Sequence, residues 1–264
     1  MNNFQEISSK NNQKIKNVKK LHRKKYREEE GLFICEGIRV FKEALNSNVK
    51  IDSLFIDKND IEETEKLLKD YSKGFDIYIV SKDIIETMST SVTPQGYIFL
   101  VDIDSLPKTV DNKEKSKVYV YLDELQDPGN LGTIIRTSHG TLVDAVFIGE
   151  NTVDPFSDKS VRSTMGSLFK VPIIYKTKED LIFLKKNGFS IVTTSLDAKK
   201  SIFETDLTGN IVIVIGNEGR GVSSEILNIS DTKVIIPMPG DLESLNAGVS
   251  FSVVIYERLR QINY

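Results

Sequence analysis

The chain has 264 residues, 39% of them hydrophobic and 28% charged, and a net charge of −3. That length allows one large domain or two ordinary ones with a real core, and no apolar run approaches the roughly 18 residues that a membrane helix needs. A single cysteine, Cys35, excludes an internal disulfide and cannot hold zinc alone, so the expectation is a cytoplasmic protein without a metal site.

The chain opens Met1-Asn2-Asn3-Phe4, with no apolar stretch resembling a signal peptide, and then turns basic. Nine Lys/Arg and no Asp/Glu lie from Lys10 to Arg27, which leaves 26 basic against 38 acidic residues elsewhere, a balance of −12. Such a run is an electrostatic handle for phosphates on a body that otherwise repels nucleic acid, although a solvated helix face has the same composition. Lys16, Lys20, Arg23, Lys25 and Arg27 are the candidate phosphate contacts.

Ile15, Val18 and Leu21, three residues apart among lysines, predict a helix over 13–26. A strand at 32–35 and a helix over 38–45 follow, then strands at 53–56, 77–80 and 97–101 separated by helices over 61–71 and 82–88. This alternation reads as a small α/β domain, 1–104. Residues 105–117, polar and without periodicity, read as a linker.

From 118 to 264 the pattern is fully apolar strands alternating with helices, which implies a parallel sheet covered on both faces. Strands are expected at 118–122, 143–148, 171–175, 189–194, 211–215 and 233–236. Helices are expected from the Asp127-Pro128-Gly129-Asn130 turn to Gly140, over 158–169, up to Gly188, and over 246–259. In 158–169 the apolar residues Val161, Met165, Leu168 and Phe169 fall on one helix face, a buried stripe, with Arg162 and Gly166 on another. Cys35 in an apolar strand reads as core, and His139 near a helix end as a capping residue.

Ligands of open parallel sheets bind beyond the carboxyl ends of the strands, and three loops there have unusual composition. The first, Leu125-Gln126-Asp127-Pro128-Gly129-Asn130-Leu131-Gly132, leads to Arg136, which shares a helix face with Gly132; a guanidinium beside a missing side chain suits a phosphate or an oxyanion. The second, Gly216-Asn217-Glu218-Gly219-Arg220-Gly221, has the spacing G-x-x-G-x-G, which is neither the dinucleotide fingerprint nor a phosphate loop. Three glycines in six residues point to a ligand loop more than to a plain turn. The third, Ile236-Pro237-Met238-Pro239-Gly240, is stiffened by prolines and ends at Ser244 and Asn246, either of which can cap the closing helix.

Together these segments resemble the SpoU (TrmH-like) family of RNA ribose methyltransferases in the SPOUT superfamily. Asp127-Pro128-Gly129-Asn130-Leu131-Gly132 through Arg136 is similar to its first motif, Ile215 through Gly221 to its second, and Ile236-Pro237-Met238 with Ser244-Leu245-Asn246-Ala247 to its third. The stretch from Asp154-Pro155-Phe156 to Gly166-Ser167-Leu168-Phe169 resembles the family segment after the second strand. Ser9, Asn12, Ile15-Lys16, Lys25, Arg27, Phe33 and Glu36-Gly37 resemble its N-terminal substrate-binding domain. Departures are Gln13 in place of a proline and His139 in place of a small residue.

The resemblance implies an α/β fold in two domains, the second (118–264) carrying a deep trefoil knot, and a homodimer that uses S-adenosylmethionine. It implies cofactor contacts at Gly216, Asn217, Ile236, Met238 and Leu245, and a reacting ribose among Asn130, Arg136, Glu218, Ser244 and Asn246. The family assigns Arg136 as base; because arginine holds its proton to above about pH 12, a grip on phosphate and developing alkoxide is the better reading. Arg162 is expected to be a second phosphate contact. The expected substrate is RNA, large-subunit ribosomal RNA more than transfer RNA; the rival is a non-catalytic RNA-binding protein.

Overall fold

The computed structural model describes residues 4–69, 71, 74–110 and 116–263; of the expected linker, residues 111–115 lie outside these. The chain falls into two compact units: Met1–Pro107 with Asp154–Lys170, and Lys108–Val153 with Val171–Tyr264. Among the described residues no helix is long and apolar enough to cross a membrane.

The first unit runs β1 (Phe4–Ile7), α1 (Gln13–Lys20), α2 (Lys24–Glu30), β2 (Leu32–Glu36), α3 (Ile38–Leu45), β3 (Ile51–Asp57), α4 (Ile61–Leu68), β4 (Asp76–Val80), α5 (Lys82–Met88) and β5 (Tyr97–Asp102). Its sheet has the order β1-β4-β3-β5-β2, with β5 antiparallel to both neighbours and the remaining pairs parallel. The helix expected over 13–26 is two helices. Asn12 caps the first, its side chain accepting from Lys14 N, and the second ends at Gly31 in the left-handed region, φ 66°. The apolar face of α1 (Ile15, Val18, with Leu21 beyond it) packs on Phe55, Tyr78, Ile84 and Met88, so the predicted periodicity is present despite the break.

The second unit begins with β6 (Val118–Leu122), α6 (Pro128–Gly140) and β7 (Ala145–Ile148). The chain then makes an excursion that packs into the first unit, carrying α7 (Asp158–Thr164) and a 3-10 turn at Ser167–Phe169. It returns for β8 (Ile173–Tyr175), α8 (Lys178–Lys186), β9 (Ser190–Thr194), β10 (Lys200–Ser201), β11 (Ile211–Ile215), α9 (Ser224–Ile229), β12 (Thr232–Ile235) and α10 (Ala247–Asn263). The sheet order is β10-β12-β9-β11-β6-β7-β8, all parallel. Its centre, β11, is at most 2% exposed at every residue, as expected of a strand covered on both faces.

The excursion corrects one sequence reading. The helix expected over 158–169 stops at Thr164, because Met165 (φ 52°) and Gly166 (φ 88°) turn left-handed. Met165 is therefore 50% exposed instead of lying in a buried stripe. A Cβ on Gly166 would stand 2.8 Å from Cβ of Glu43, so close packing within the unit requires glycine there. Phe156 packs on Phe33, ring centres 5.2 Å apart, and His22 Nδ1 lies 2.8 Å from Asp158 Oδ2.

Candidate active site

In the parallel sheet β6 lies between β7, which follows it, and β11, which comes much later, so the loops after β6 and β11 part company at a topological switch point. Asp127 caps the helix that leaves β6, its carboxylate accepting from Asn130 N at 2.9 Å, with Pro128 at the first helical position. The expected turn is thus already the first turn of α6, and it aims Asn130 inward, 6% exposed.

Asn130 is the centre of a polar chain that joins the three motifs. Its Nδ2 donates to Glu218 Oε1 at 2.8 Å, and its Oδ1 accepts from Asn246 Nδ2 at 2.6 Å. Asn246 Oδ1 in turn accepts from Gly248 N (3.0 Å) and Val249 N (3.3 Å), so Asn246, and not Ser244, caps α10. Glu218 also accepts from the backbone N–H of Asp127 at 3.0 Å and of Gln126 at 3.1 Å. Burial alone would push its carboxyl up, but the donors from Asn130, Asp127 and Gln126 outweigh that and hold it below the ordinary carboxylate range. A carboxylate so occupied is a fastener and a poor proton acceptor.

Arg136 lies two turns along α6, exposed, with no hydrogen bond or ion pair among the described residues. Ser244 is exposed and equally without such a partner, while Ile236, Met238 and Leu245 are half-buried. Gly216 is buried, and a Cβ there would stand 2.3 Å from Gly221 C and Val222 N, so the closure of its own loop demands glycine. Asn217 works inside that loop as well: its N–H and C=O pair with Gly221 at 2.9 Å, and its side chain donates to Glu124 O at 2.9 Å.

Two residues at this edge lay outside the sequence reading: Asp123, 7% exposed, accepts from Ser223 N at 2.7 Å, and Glu124 adopts φ 56° and pairs with Arg220 at 2.8 Å. Their signal was position, an acid pair directly after an apolar strand at the switch point. Gln126, within the first loop, donates through Nε2 to Asn151 O at 2.6 Å.

Of the expected phosphate contacts, Lys16, Lys20, Arg23 and Lys25 are exposed, Lys25 with a loose partner in Glu29 at 3.7 Å. Arg27 is not available: it is 4% exposed, and its guanidinium donates to Leu21 O at 2.6 Å and to Asp154. Burial without those partners would be costly, so its role is structural. Arg162 donates to Thr90 Oγ1 at 2.8 Å, and since α7 ends before Gly166 the two do not share a helix face.

The profile of the SpoU rRNA Methylase family matches residues 117–256, more than half of the chain. The chain belongs to that family. Residues 12–98 match the MRM3-like substrate binding domain. The chain is 30% identical over 254 residues to the 23S rRNA (guanosine(2553)-2'-O)-methyltransferase RlmP of Bacillus subtilis (strain 168), covering 96% of this chain and 98% of that protein. It is 28% identical to the uncharacterized tRNA/rRNA methyltransferase slr1673 of Synechocystis sp., over 97% and 93% of the two chains. The AdoMet-bound rRNA methyltransferase from Sinorhizobium meliloti superposes with a TM-score of 0.84 at 29% identity, over 99% of each chain. As a member of the family the chain is an S-adenosylmethionine-dependent RNA 2′-O-methyltransferase.

The residues present fit that cofactor. Among the described residues, the backbone groups of 237–245 make no hydrogen bond within the protein, although the loop leaves the sheet's carboxyl edge between half-buried Ile236 and Leu245. Backbone donors and acceptors left open there need water or a ligand. The fit supports recognition by main chain, as the family resemblance implies.

Proposed function

We propose that this enzyme methylates a ribose 2′-hydroxyl of large-subunit ribosomal RNA, and that it does so as a cytoplasmic homodimer whose C-terminal domain is knotted. The observation that carries the placement of the reaction is the Glu218–Asn130–Asn246 chain, which ties the three motif loops to one edge of the sheet. Support for ribosomal RNA is the family match together with the 23S rRNA activity in the name of the B. subtilis relative.

When bound, S-adenosylmethionine supplies a sulfonium methyl, an electrophile that needs no further activation. The protein's task is to align a hydroxyl with it and stabilise the oxygen as its proton leaves. Gly216, Asn217, Ile236, Met238 and Leu245 are proposed to hold the cofactor, and Asn130, Glu218, Ser244 and Asn246 to frame the ribose. Within that frame Glu218 and Asn246 act on Asn130, and Asn130 fixes the first turn of the helix that presents Arg136. Arg136, exposed and unpartnered among the described residues, grips the neighbouring phosphate and the developing alkoxide. Lys16, Lys20, Arg23 and Lys25 draw in the RNA backbone.

Mapping 2′-O-methylation across the RNA of a strain lacking the gene tests the reading. The expected outcome is one ribosomal ribose that loses its methyl group and regains it on incubation with purified enzyme. Loss at a transfer RNA would move the substrate, and no loss at any ribose would overturn the proposal.

A further inference from the structure

The first unit contains a cavity of about 220 Å3 between α1, α2 and the edge of its sheet where β3 and β4 begin. One face of α1 lines it, Lys14, Asn17, Val18 and Leu21 following one another at i, i+3, i+4 and i+7. The floor is apolar, Val18, Phe55 and Leu100, each at most 6% exposed, and half-buried Tyr26 makes one wall. The space far exceeds the ~10–15 Å3 that one water needs and falls short of the ~300 Å3 of a drug-sized pocket, which leaves room for a single ring system.

The rim carries two kinds of charge. The ammonium groups of Lys14 and Lys20 lie 4.6 Å and 5.8 Å from the ring centres of Tyr78 and Tyr26. Asp52 and Glu30 are exposed carboxylates that make no hydrogen bond among the described residues; Asp76 accepts from Tyr78 Oη at 2.6 Å. A free anion has little to gain among three carboxylates over an apolar floor. Lys14 Nζ also lies 3.7 Å from Asp76 Oδ2, so the matching ligand is flat and apolar in the middle and brings both N–H donors, for the exposed carboxylates, and anionic groups, for the lysines, to the same rim.

We propose that this cavity takes an unpaired guanine base of the substrate RNA, its N1–H and N2–H2 donating to Asp52 or Glu30, the two rim carboxylates not already engaged by Tyr78 and Lys14, while its flanking phosphates meet Lys14 and Lys20. Carboxylates accept only, and guanine offers two adjacent donors on its Watson–Crick edge; uracil offers one, between two carbonyls that a carboxylate repels. The inference rests on RNA being the substrate and adds a sequence-reading element to an otherwise phosphate-directed arm.

The test uses the full chain and three labelled nonauridine RNAs whose central residue is guanosine, inosine or uridine, with binding read by fluorescence anisotropy. Guanosine is expected to bind roughly 10-fold more tightly than uridine, in the lower part of the range for a bidentate base contact. Inosine, which lacks the 2-amino group, should fall between. The double replacement Asp52→Asn with Glu30→Gln, at exposed positions without internal bonds, should abolish the preference without weakening binding of the all-uridine RNA. Equal affinities for the three RNAs, or a preference that survives the double replacement, would overturn the pocket. Methylation of ribosomal RNA by the wild-type enzyme is measured alongside. A flat base series with intact methylation sinks the pocket alone, whereas a wild type that transfers no methyl group sinks the substrate reading on which the pocket stands.

Discussion

The loop after β11 and the loop after β12 leave the carboxyl edge of the same parallel sheet, yet they dispose of their backbone groups in opposite ways. In the first, Asn217 and Gly221 exchange two backbone hydrogen bonds, and Asn217 Oδ1 accepts from Gly219 N and Arg220 N at 2.9 and 3.1 Å. In the second, residues 237–245 form no hydrogen bond among the described residues. The glycine-rich loop is thus closed by its own hydrogen bonds and exports one carboxylate, Glu218, to the neighbouring motif. The proline-stiffened loop keeps its shape without using its N–H and C=O groups, which suits main-chain recognition of a ligand.

Four substitutions break or sharpen this contrast. Gly216→Ala drives a Cβ to 2.3 Å from backbone atoms that cannot swing aside, so it should cost about 3 kcal/mol in denaturant melts, the upper end of typical overpacking. A variant as stable as wild type would mean that the loop is not closed as described. Arg136→Ala, on the open side, should leave the fold intact and, with RNA held saturating because one phosphate contact is lost, slow single-turnover methylation roughly 100-fold, as the loss of an oxyanion donor does; near-normal turnover would remove Arg136 from the chemistry.

Glu218→Gln keeps the shape of the fastener and removes its charge, with an expected loss of about 1 kcal/mol at neutral pH given its exposure. Because the folded carboxyl sits below its unfolded value, that contribution is present above the unfolded pKa and lost as pH falls through the folded one. Melts of the two proteins should therefore converge in acid, and a gap that widens there would refute the assignment. Smallest of all, Gly240→Ala meets no atom within 4 Å and should change stability by no more than about 0.5 kcal/mol.

Much of this architecture is legible in the residues because apolar periodicity carries it. The strands Val118–Leu122 and Ile211–Ile215 and the helices Ile38–Leu45 and Lys82–Met88 have the limits that their patterns predict. Where the reading fails, the cause is information that periodicity lacks. Val161 to Phe169 keeps a helical stripe on paper, but the approach of Glu43 at Gly166 is a tertiary fact. Strand β1, with two exposed residues of four, exists through its pairing with β4. At the site, the family resemblance brings Asn130, Glu218 and Asn246 to attention, while their joining into one chain depends on strand order. Arg27 and Arg136 look alike as candidates; only burial tells the structural guanidinium from the open one.

The excursion Asp154–Lys170 has a consequence for biosynthesis. The carboxylates that meet His22 and Arg27 lie more than a hundred residues downstream, so on the ribosome the N-terminal unit emerges before its own last piece has been made. Until Asp154 leaves the exit tunnel the nascent unit carries a guanidinium with no carboxylate to receive it, and a fragment cut at Pro107 would remain in that condition permanently.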